Sequence, residues 1–282
     1  MILVFGSNGQ VGLELAKFDG VLTLDRAEAD LTNPEACAHK ILQHKPMSVI
    51  NAAAYTAVDK AETEKELATL INADAPAAMA KACSELGIPF VHISTDYVFD
   101  GSGETPRKPN DTTNPVNVYG YSKRLGEEAI VRSGAIYAIL RTSWVVSAHR
   151  ANFVKSMLNA AENHKLLRVV DDQIGGPTPA HSVAKACVQI AHSLLINPEK
   201  KGVYHFSGKP DVSWYEFAKT IFECAGRDVQ LNAITTSGYP TPAQRPQNSR
   251  LNCDLTKSVF DIDRPNWGNG LTKILKDLGE IQ

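Results

Sequence analysis

The chain has 282 residues, of which 43% are hydrophobic and 21% are charged, and its formal net charge is −2. This composition is typical of an ordinary globular protein and excludes a disordered or fibrous chain. A net charge so near zero provides no general attraction to nucleic acid or to an anionic membrane, so local groups have to hold any anionic ligand.

The cysteines and the first residues of the chain bear on the cellular compartment. The five cysteines are widely separated, with no close pair and no zinc-type spacing. This is typical of free thiols in a reducing compartment. The first apolar run begins at Ile2, with no basic region before it and no long apolar stretch after it. We therefore expect no signal peptide, no membrane span and a cytoplasmic location.

Short apolar runs alternate with longer amphipathic ones through the first half of the chain. The apolar runs predict strands over residues 2–5, 21–24, 48–51, 89–94 and 135–140. The segments between them predict helices, one starting near residue 32 and a long one over about 64–86, in which Pro76 marks an expected break. Strands with few polar residues that alternate with helices indicate α/β architecture, a Rossmann-type doubly wound parallel sheet.

The pattern becomes irregular after about residue 144. Turn-rich stretches cover residues 171–179 and 208–213, and a proline-rich loop covers 239–246. A helix is predicted over 214–225 after a Ser213 cap, and a sixth strand near 203–206. We therefore expect a dinucleotide-binding domain over residues 1–144 and a smaller, mainly substrate-binding lobe over 145–282, partly interleaved with the first.

A glycine-rich turn follows the first strand. Its glycines, Gly6, Gly9 and Gly12, have the spacing G-x-x-G-x-x-G. Glycines let the backbone turn tightly and approach a pyrophosphate, whose charge meets the N-terminus of the following helix. Three glycines in seven residues also occur in plain turns, but their place between a strand and a helix favours a dinucleotide site.

The end of the second strand carries two opposing indications about the dinucleotide. Asp25 is placed to accept hydrogen bonds from the adenosine ribose hydroxyls, which favours NAD. Arg26 beside it suits a 2′-phosphate, which favours NADP. Asp30 is placed to reach the adenine, although a carboxylate at a helix N-terminus is nearly as good an interpretation.

Tyr119 and Lys123 form a Y-x-x-x-K pair. Residues four apart lie on one face of a helix, so an ammonium at Lys123 is expected to lower the pKa of the Tyr119 phenol toward neutrality. The pattern is short, and a tyrosine packed on a lysine stem is the simpler interpretation of the pair alone.

Polar and small residues follow three neighbouring predicted strands. Residues 51–54 read Asn-Ala-Ala-Ala, residues 94–101 are a polar cluster, and residues 141–144 read Arg-Thr-Ser-Trp. Ligands bind at the carboxyl edge of open α/β sheets, where these segments are expected to meet.

These segments together resemble those of the extended short-chain dehydrogenase/reductases. A narrower similarity, to the dTDP-4-dehydrorhamnose reductase family, rests on residues 58–62, 141–144, 239–243 and 245–251. The segments run in the expected order along nearly the whole chain.

The resemblance implies hydride transfer from NADPH, or alternatively NADH, to C4 of a 4-keto deoxysugar linked to dTDP. It implies that Tyr119 protonates the developing oxygen anion, that Lys123 holds the nicotinamide ribose and that Thr95 hydrogen-bonds near the same oxygen. The cofactor-binding residues that it implies are Gly6, Gly9, Gln10, Val11, Gly12, Asp25, Asp30, Leu31, Ala53, Ala54, Ile93, Thr95, Asp96, Tyr119 and Lys123.

The substrate-binding residues that it implies are Thr95, Tyr97, Trp144, Arg245 and Arg250. From the residues alone, Trp144 is equally a core aromatic. Arg245 and Arg250 are either a clamp on the substrate diphosphate or solvated side chains of a proline-stiffened loop.

The implied partners are a dTDP-sugar substrate and a second copy of the chain in a homodimer, with neither nucleic acid nor membrane. Some members of the family use magnesium at a subunit contact. The only candidate ligand here is Glu14, which as a helix glutamate is expected to be exposed, and His181 stands where an acidic partner would be sought. We therefore predict no metal-binding residues.

Three functions compete on this fold: the reductase, a related dehydratase or epimerase, and a non-catalytic binding or regulatory subunit. A sugar dehydratase would need an acidic residue beside Asp96, where Tyr97 stands, so dehydration is disfavoured. A non-catalytic regulatory subunit, or a reductase of another sugar nucleotide, remains the alternative to the reductase named above. The intact set of Thr95, Tyr119 and Lys123 favours an enzyme.

Overall fold

The computed structural model describes residues 1–282. Its strands are β1 Ile2–Phe5, β2 Val21–Leu24, β3 Ser48–Asn51, β4 Pro89–Thr95, β5 Ile136–Thr142, β6 Val145–Val146, β7 Leu166–Val170, β8 Ile174–Gly175, β9 Thr178–Pro179, β10 Gly202–His205, β11 Val212–Ser213, β12 Gln230–Ile234 and β13 Asn248–Ser249. Its α-helices are α1 Gln10–Leu15, α2 Pro34–His44, α3 Val58–Ala61, α4 Lys65–Thr69, α5 Ala75–Leu86, α6 Val118–Arg132, α7 Phe153–Asn163, α8 Ala180–Ile196, α9 Trp214–Cys224, α10 Asp254–Phe260 and α11 Trp267–Asp277.

Six strands form the central sheet in the order β2-β1-β3-β4-β5-β10. Every neighbouring pair in it is parallel. The predicted sixth strand is β10, which pairs with β5 although it lies beyond the irregular part of the chain. The predicted doubly wound α/β fold is confirmed. Because β1 lies between β2 and β3, the crevice for a ligand is expected at the carboxyl ends of β1 and β3.

Alternate side chains of the central strands enter two apolar layers. Val4, Ile50 and Val91 pack with α1 and α8 on one face. Leu3, Val49 and Phe90 pack with α2 and α5 on the other. Burial on both faces explains why these strands are almost wholly apolar in sequence.

A third apolar cluster lies in the second half of the chain. It joins α7, α9 and α11 through side chains such as Leu158, Phe217 and Leu271. Helix α9 begins where the sequence predicts, because Ser213 and Glu216 form a reciprocal capping box at its N-terminus. The division into a cofactor-binding part and a substrate-binding part stays a prediction.

The long helix predicted over residues 64–86 continues through Pro76 without the expected break. A π-helical turn, Leu70–Asp74, joins α4 to α5 just before the proline. Pro76 has no N–H to give to the carbonyl of Asn72, and the wider turn accommodates that loss.

None of the helices combines the length and the apolar character that crossing a bilayer requires.

Candidate active site

A cavity of about 1150 Å³ opens at the carboxyl edge of the central sheet, and residues from both halves of the chain line it. All the predicted site residues except Gly12 and Arg250 are on its wall. Residues that follow β1, β3, β4 and β5 therefore meet at one edge, as the parallel sheet requires.

The glycine turn forms one end of the cavity. Gly6 has a φ of 96° and approaches Ala53 so closely that a Cβ on it would lie 2.8 Å from the Ala53 nitrogen. Gly12 faces inward, where a Cβ would lie 2.0 Å from the carbonyl oxygen of Gly6. Gly12 therefore lets α1 pack closely against the turn, and it is not among the residues that line the cavity.

The end of β2 lies beside the turn. One oxygen of Asp25, Oδ1, accepts from the backbone N–H groups of Ala27 and Glu28 at 2.8 and 3.0 Å. Arg26 is exposed and donates to Asp30 at 3.2 Å. The local turn therefore engages part of the Asp25 carboxylate, while the guanidinium of Arg26 lies at the rim of the cavity.

Tyr119 lies in the first turn of α6, which begins after an Asn117 cap that accepts from the N–H of Gly120. Burial raises the pKa of Tyr119 to about 12; Asp96 acts in the same direction and the Thr95 hydroxyl in the opposite one. This direction is opposite to that predicted from the Tyr119–Lys123 spacing. The phenol is therefore a protonated, hydrogen-donating group at neutral pH.

Lys123 lies one turn further along α6 and is 1% exposed. Its Nζ lies 2.8 Å from the carbonyl oxygen of Ile93, to which it donates, and 3.0 Å from Nε2 of His92. Burial lowers the pKa of Lys123 to about 8, with Glu127 opposing that shift. The amine is thus held by β4, which explains why it does not lower the pKa of Tyr119.

Asp96 follows β4, is buried and lines the cavity. Burial raises its pKa to about 6, against hydrogen bonds from Ser249 and Thr95. Its Oδ2 is buried without a partner. The ring of Tyr97 next to it meets the ring of Tyr119 edge to face, with centroids 5.6 Å apart.

A buried ion pair fixes α6 on the sheet. Arg141 at the end of β5 donates to both carboxylate oxygens of Glu127, at 2.9 and 2.6 Å. Ser94 donates to the same carboxylate at 2.6 Å. Paired geometry of this kind, with an added hydroxyl, is what makes a buried charge tolerable.

Three aromatic side chains, Trp144, Phe153 and Trp214, line one part of the cavity. Trp144 has a φ of 49° and stacks on Trp214 at the start of α9, with ring centroids 3.5 Å apart and planes 11° apart. Phe153 at the start of α7 packs on Trp214 with centroids 4.4 Å apart. Trp144 is therefore not a core residue but half of a stacked pair on the cavity wall.

The two arginines of the proline-rich loop differ in position. Arg245 lines the cavity and donates to Asp59 at 2.8 Å. Arg250 does not line it; its guanidinium donates to the Asn248 side chain, and its carbonyl accepts from the backbone of Arg107. Arg250 therefore lies outside the cavity that most of the other predicted site residues line, and its assignment to the substrate site stays a prediction.

Sequence reasoning missed several wall residues, among which Arg150 and Trp214 are the most distinctive. Arg150 is exposed, has a φ of 52° and donates from Nε to the carbonyl oxygen of Asn8 in the glycine turn at 2.7 Å. No spacing rule connects Arg150 to Asn8 or Trp214 to Trp144, which lie far apart in the sequence, so only the fold reveals them.

Glu14 lies outside this cavity and is 5% exposed, so the expectation of an exposed helix glutamate is wrong. Its carboxylate accepts from Lys17 at 2.9 Å and lies 2.8 Å from Nε2 of His149 and 3.5 Å from Nδ1 of His181. Magnesium prefers oxygen ligands with several retained waters. A single carboxylate surrounded by an ammonium and two imidazoles does not fit that ion.

The chain is similar to known proteins over nearly its whole length. The family described as the RmlD substrate binding domain matches residues 1–280. A dTDP-4-dehydrorhamnose reductase from Sinorhizobium fredii is 42% identical over 284 residues, covering 97% of this chain and 96% of that protein.

Solved structures are similar over the same length. A dTDP-4-dehydrorhamnose reductase from Clostridium acetobutylicum has a TM-score of 0.92 at 36% identity, covering 99% of both chains. One from Bacillus anthracis, solved in complex with NADP, has a TM-score of 0.90 at 33% identity, covering 98% of both chains.

Proposed function

Since the chain belongs to the RmlD substrate-binding-domain family of dTDP-4-dehydrorhamnose reductases, we propose that its cavity reduces the C4 keto group of dTDP-4-dehydro-L-rhamnose to give dTDP-L-rhamnose. The observation that carries the proposal is the meeting of the glycine turn with Thr95, Tyr119 and Lys123 in one cavity.

The cavity fits a nicotinamide dinucleotide. The turn of Gly6 and Gly9 lets the backbone approach a diphosphate, and no side chain caps the N-terminus of α1 that follows. The small residues Ala52, Ala53 and Ala54 leave room along the wall toward Tyr119. The reduced nicotinamide, when bound, supplies the hydride, and the protein supplies binding, orientation and the proton.

We propose NADPH as the preferred dinucleotide. Arg26 lies exposed at the cavity rim, where a guanidinium suits a 2′-phosphate. Asp25, which would favour the ribose of NADH, already accepts two backbone hydrogen bonds through Oδ1. The relative solved with NADP supports the same choice.

In the reaction, Tyr119 donates its proton to the oxygen at C4 as negative charge develops there. Its raised pKa keeps the phenol protonated at neutral pH, which suits a proton donor. Thr95 lies beside Tyr119 and orients the same oxygen, and Lys123 presents its amine to the nicotinamide ribose. Tyr97, Trp144 and Arg245 border the space left for the sugar nucleotide.

The proposal is tested by following oxidation of NADPH, and separately NADH, with dTDP-4-dehydro-L-rhamnose as substrate. We expect turnover, faster with NADPH. Tyr119→Phe is expected to lower kcat by about 10²–10⁴-fold, because it removes only the proton donor, while the Kd for the dinucleotide stays within about twofold.

Three results would contradict the proposal. Tight dinucleotide binding with no turnover would favour a non-catalytic subunit, and full activity of Tyr119→Phe would remove Tyr119 from the mechanism. Turnover with a different sugar nucleotide and not with this one would reassign the substrate. A homodimer and a cytoplasmic location remain predictions.

A further inference from the structure

Behind Tyr119 and Lys123 lies a buried chain of hydrogen-bonding groups that the proposed mechanism does not use. Nε2 of His92 lies 3.0 Å from Nζ of Lys123, and Nδ1 of His92 lies 3.1 Å from Nδ2 of Asn51. Asn51 Oδ1 accepts from the backbone N–H of Ala53 at 3.1 Å. His92 and Asn51 are fully buried, so the protein has to supply their partners.

The donor and acceptor atoms of Asn51, His92 and Lys123 determine which ring nitrogen of His92 carries the proton. The N–H of Ala53 takes the amide oxygen of Asn51, so the amide nitrogen faces His92 and donates to Nδ1. A neutral imidazole that accepts at Nδ1 carries its proton on Nε2. That proton points at Nζ of Lys123, which accepts it only as an uncharged amine, because an ammonium has no lone pair.

A charged Lys123 requires a different arrangement. Its ammonium donates to Nε2 of His92, so the imidazole proton moves to Nδ1 and faces the amide nitrogen of Asn51. Rotating that amide turns its oxygen to His92 but leaves the N–H of Ala53 facing the amide nitrogen. With either orientation of the Asn51 amide, one N–H group therefore has no acceptor when Lys123 is charged. A buried donor without an acceptor is costly. The charge of Lys123 and the tautomer of His92 are therefore linked.

The other groups around His92 and Lys123 do not remove the link between the charge of Lys123 and the tautomer of His92. Burial, with Lys123 acting in the same direction, holds the pKa of His92 well below its usual value, so its ring stays neutral. Glu127 on α6 acts on the charge of Lys123 and is paired with Arg141 on β5, and Tyr119 lies on the same helix as Lys123. On α5, which packs on β4, the thiol of Cys83 is buried. Lys81 and Glu85 of α5 are exposed. Burial places the pKa of Lys123 at about 8, so both of its charge states are accessible near neutral pH.

We propose that His92 is a positioning residue for Lys123: it anchors the amine at the cavity wall, and its tautomer changes with the charge that the amine carries. The proposal rests on the proposed function, in which that amine meets the nicotinamide ribose.

The first test reads the tautomer and needs no turnover. The full chain with ¹⁵N-labelled histidine is titrated by NMR from about pH 6 to about pH 10, and the His92 signals are assigned by their loss in His92→Gln. We expect the His92 proton on Nδ1 at the acidic end and on Nε2 at the basic end, with a midpoint near 8. In Lys123→Met the proton is expected on Nε2 throughout. A single tautomer over the whole range in the native chain, or a change that persists in Lys123→Met, overturns the proposal.

The second test uses the pH profile of kcat. His92→Phe removes both the donor to the uncharged amine and the acceptor of the ammonium, so the midpoint attributed to Lys123 is expected to move by about one pH unit, with KM for the sugar nucleotide within about twofold. An unchanged midpoint in an active variant refutes the role of His92 and leaves the proposed function standing. Failure of the native chain to turn over refutes the function, and the tautomer measurement then decides this proposal by itself.

Discussion

Tyr119 and Lys123 show that burial can outweigh the effect on a pKa that a sequence spacing predicts. The two residues share one face of α6, as the four-residue interval predicts. The amine nevertheless turns to His92 and Ile93, and burial dominates the pKa of the phenol. A charged neighbour four residues away is therefore a weaker guide to acidity than the depth at which both groups are buried.

The burial of Asp96 predicts how the free energy of unfolding depends on pH. Its folded-state pKa is about 6 against an ordinary value of 3.8, so the folded chain binds this proton more tightly than the unfolded chain. The stability that this proton contributes is present below about pH 4 and is lost as the pH rises through about 6. Asp96→Asn cannot ionise and keeps an acceptor, so at pH 7 we expect it to be more stable by on the order of 1–3 kcal/mol.

Urea unfolding of both proteins at about pH 4 and about pH 7 measures this effect. The advantage of Asp96→Asn is expected only at the higher pH. If the free energies of unfolding of the native chain and Asp96→Asn differ by the same amount at both pH values, ionisation of the buried Asp96 does not cost stability.

Arg150 makes a prediction about dinucleotide affinity. Its guanidinium bonds to the glycine turn at Asn8 and lines the cavity, where it would meet the diphosphate. Arg150→Ala is expected to raise the Kd for NADPH about tenfold, a loss of about 1.4 kcal/mol. Arg132→Ala, at the far end of α6 and paired only with Glu128, is the matched control and is expected to leave the Kd unchanged. Equal effects of the two variants would show that Arg150 acts only through general charge.

The π-helical turn before Pro76 is the feature of most consequence among the elements. It directs Asn72 inward, where the side chain accepts from Tyr55 N–H, donates to the Tyr55 carbonyl and donates to the Ser122 hydroxyl. The carbonyl oxygen of Asn72 approaches Gly126 so closely that a Cβ on Gly126 would lie 2.1 Å from it. A glycine in α6 thus lets the π turn pack directly on the helix that carries Tyr119 and Lys123.

Asn72→Ala is expected to loosen α6 from the turn. Loss of the three hydrogen bonds made by this buried side chain should lower the free energy of unfolding by about 2–3 kcal/mol and lower kcat by about tenfold. Asn33→Ala, which removes the cap of α2 far from the cavity, is the matched control. It is expected to cost about 1 kcal/mol without a change in kcat. An unchanged kcat in Asn72→Ala would show that the π-helical turn does not position the catalytic residues of α6.

At the scale of the whole molecule, the cavity is closed by side chains from both halves of the chain. β10 joins the sheet of the first half, whereas α7, α9 and α11 build a separate apolar cluster. Trp214 of α9 stacks on Trp144, which follows β5, and both rings line the cavity. We therefore propose that the sugar nucleotide binds between the sheet edge and α9, and the dinucleotide along β1 to β4.

Trp214→Ala tests this division. Removing the ring takes away the stacking partner of Trp144 and one wall of the substrate space, so KM for the sugar nucleotide is expected to rise about tenfold. The Kd for NADPH, measured on the same variant, is expected to stay within about twofold. An equal weakening of both ligands would show that the stack supports the whole cavity and does not serve the substrate alone.

Much of the fold follows from local sequence, because its signals are local. Apolar runs such as 2–5 and 48–51 are strands buried on both faces, and Asn33 and Ser213 cap helices where they stand in the sequence. The sheet edge then brings residues after β1, β3, β4 and β5 together, because parallel strands end on one side. The break expected at Pro76 is the exception, since packing against Gly126 favours a π turn there.

The candidate site divides in the same way. Sequence by itself determined the glycine turn and the presence of Thr95, Tyr119 and Lys123 at one edge, because each is encoded within a few residues of a strand or helix. Only the tertiary structure decided that Arg150 and Trp214 line the cavity, that Arg250 does not, and that Lys123 binds His92. These depend on contacts between distant segments and on burial, which set both the position and the protonation of a group and leave no periodic trace in the chain.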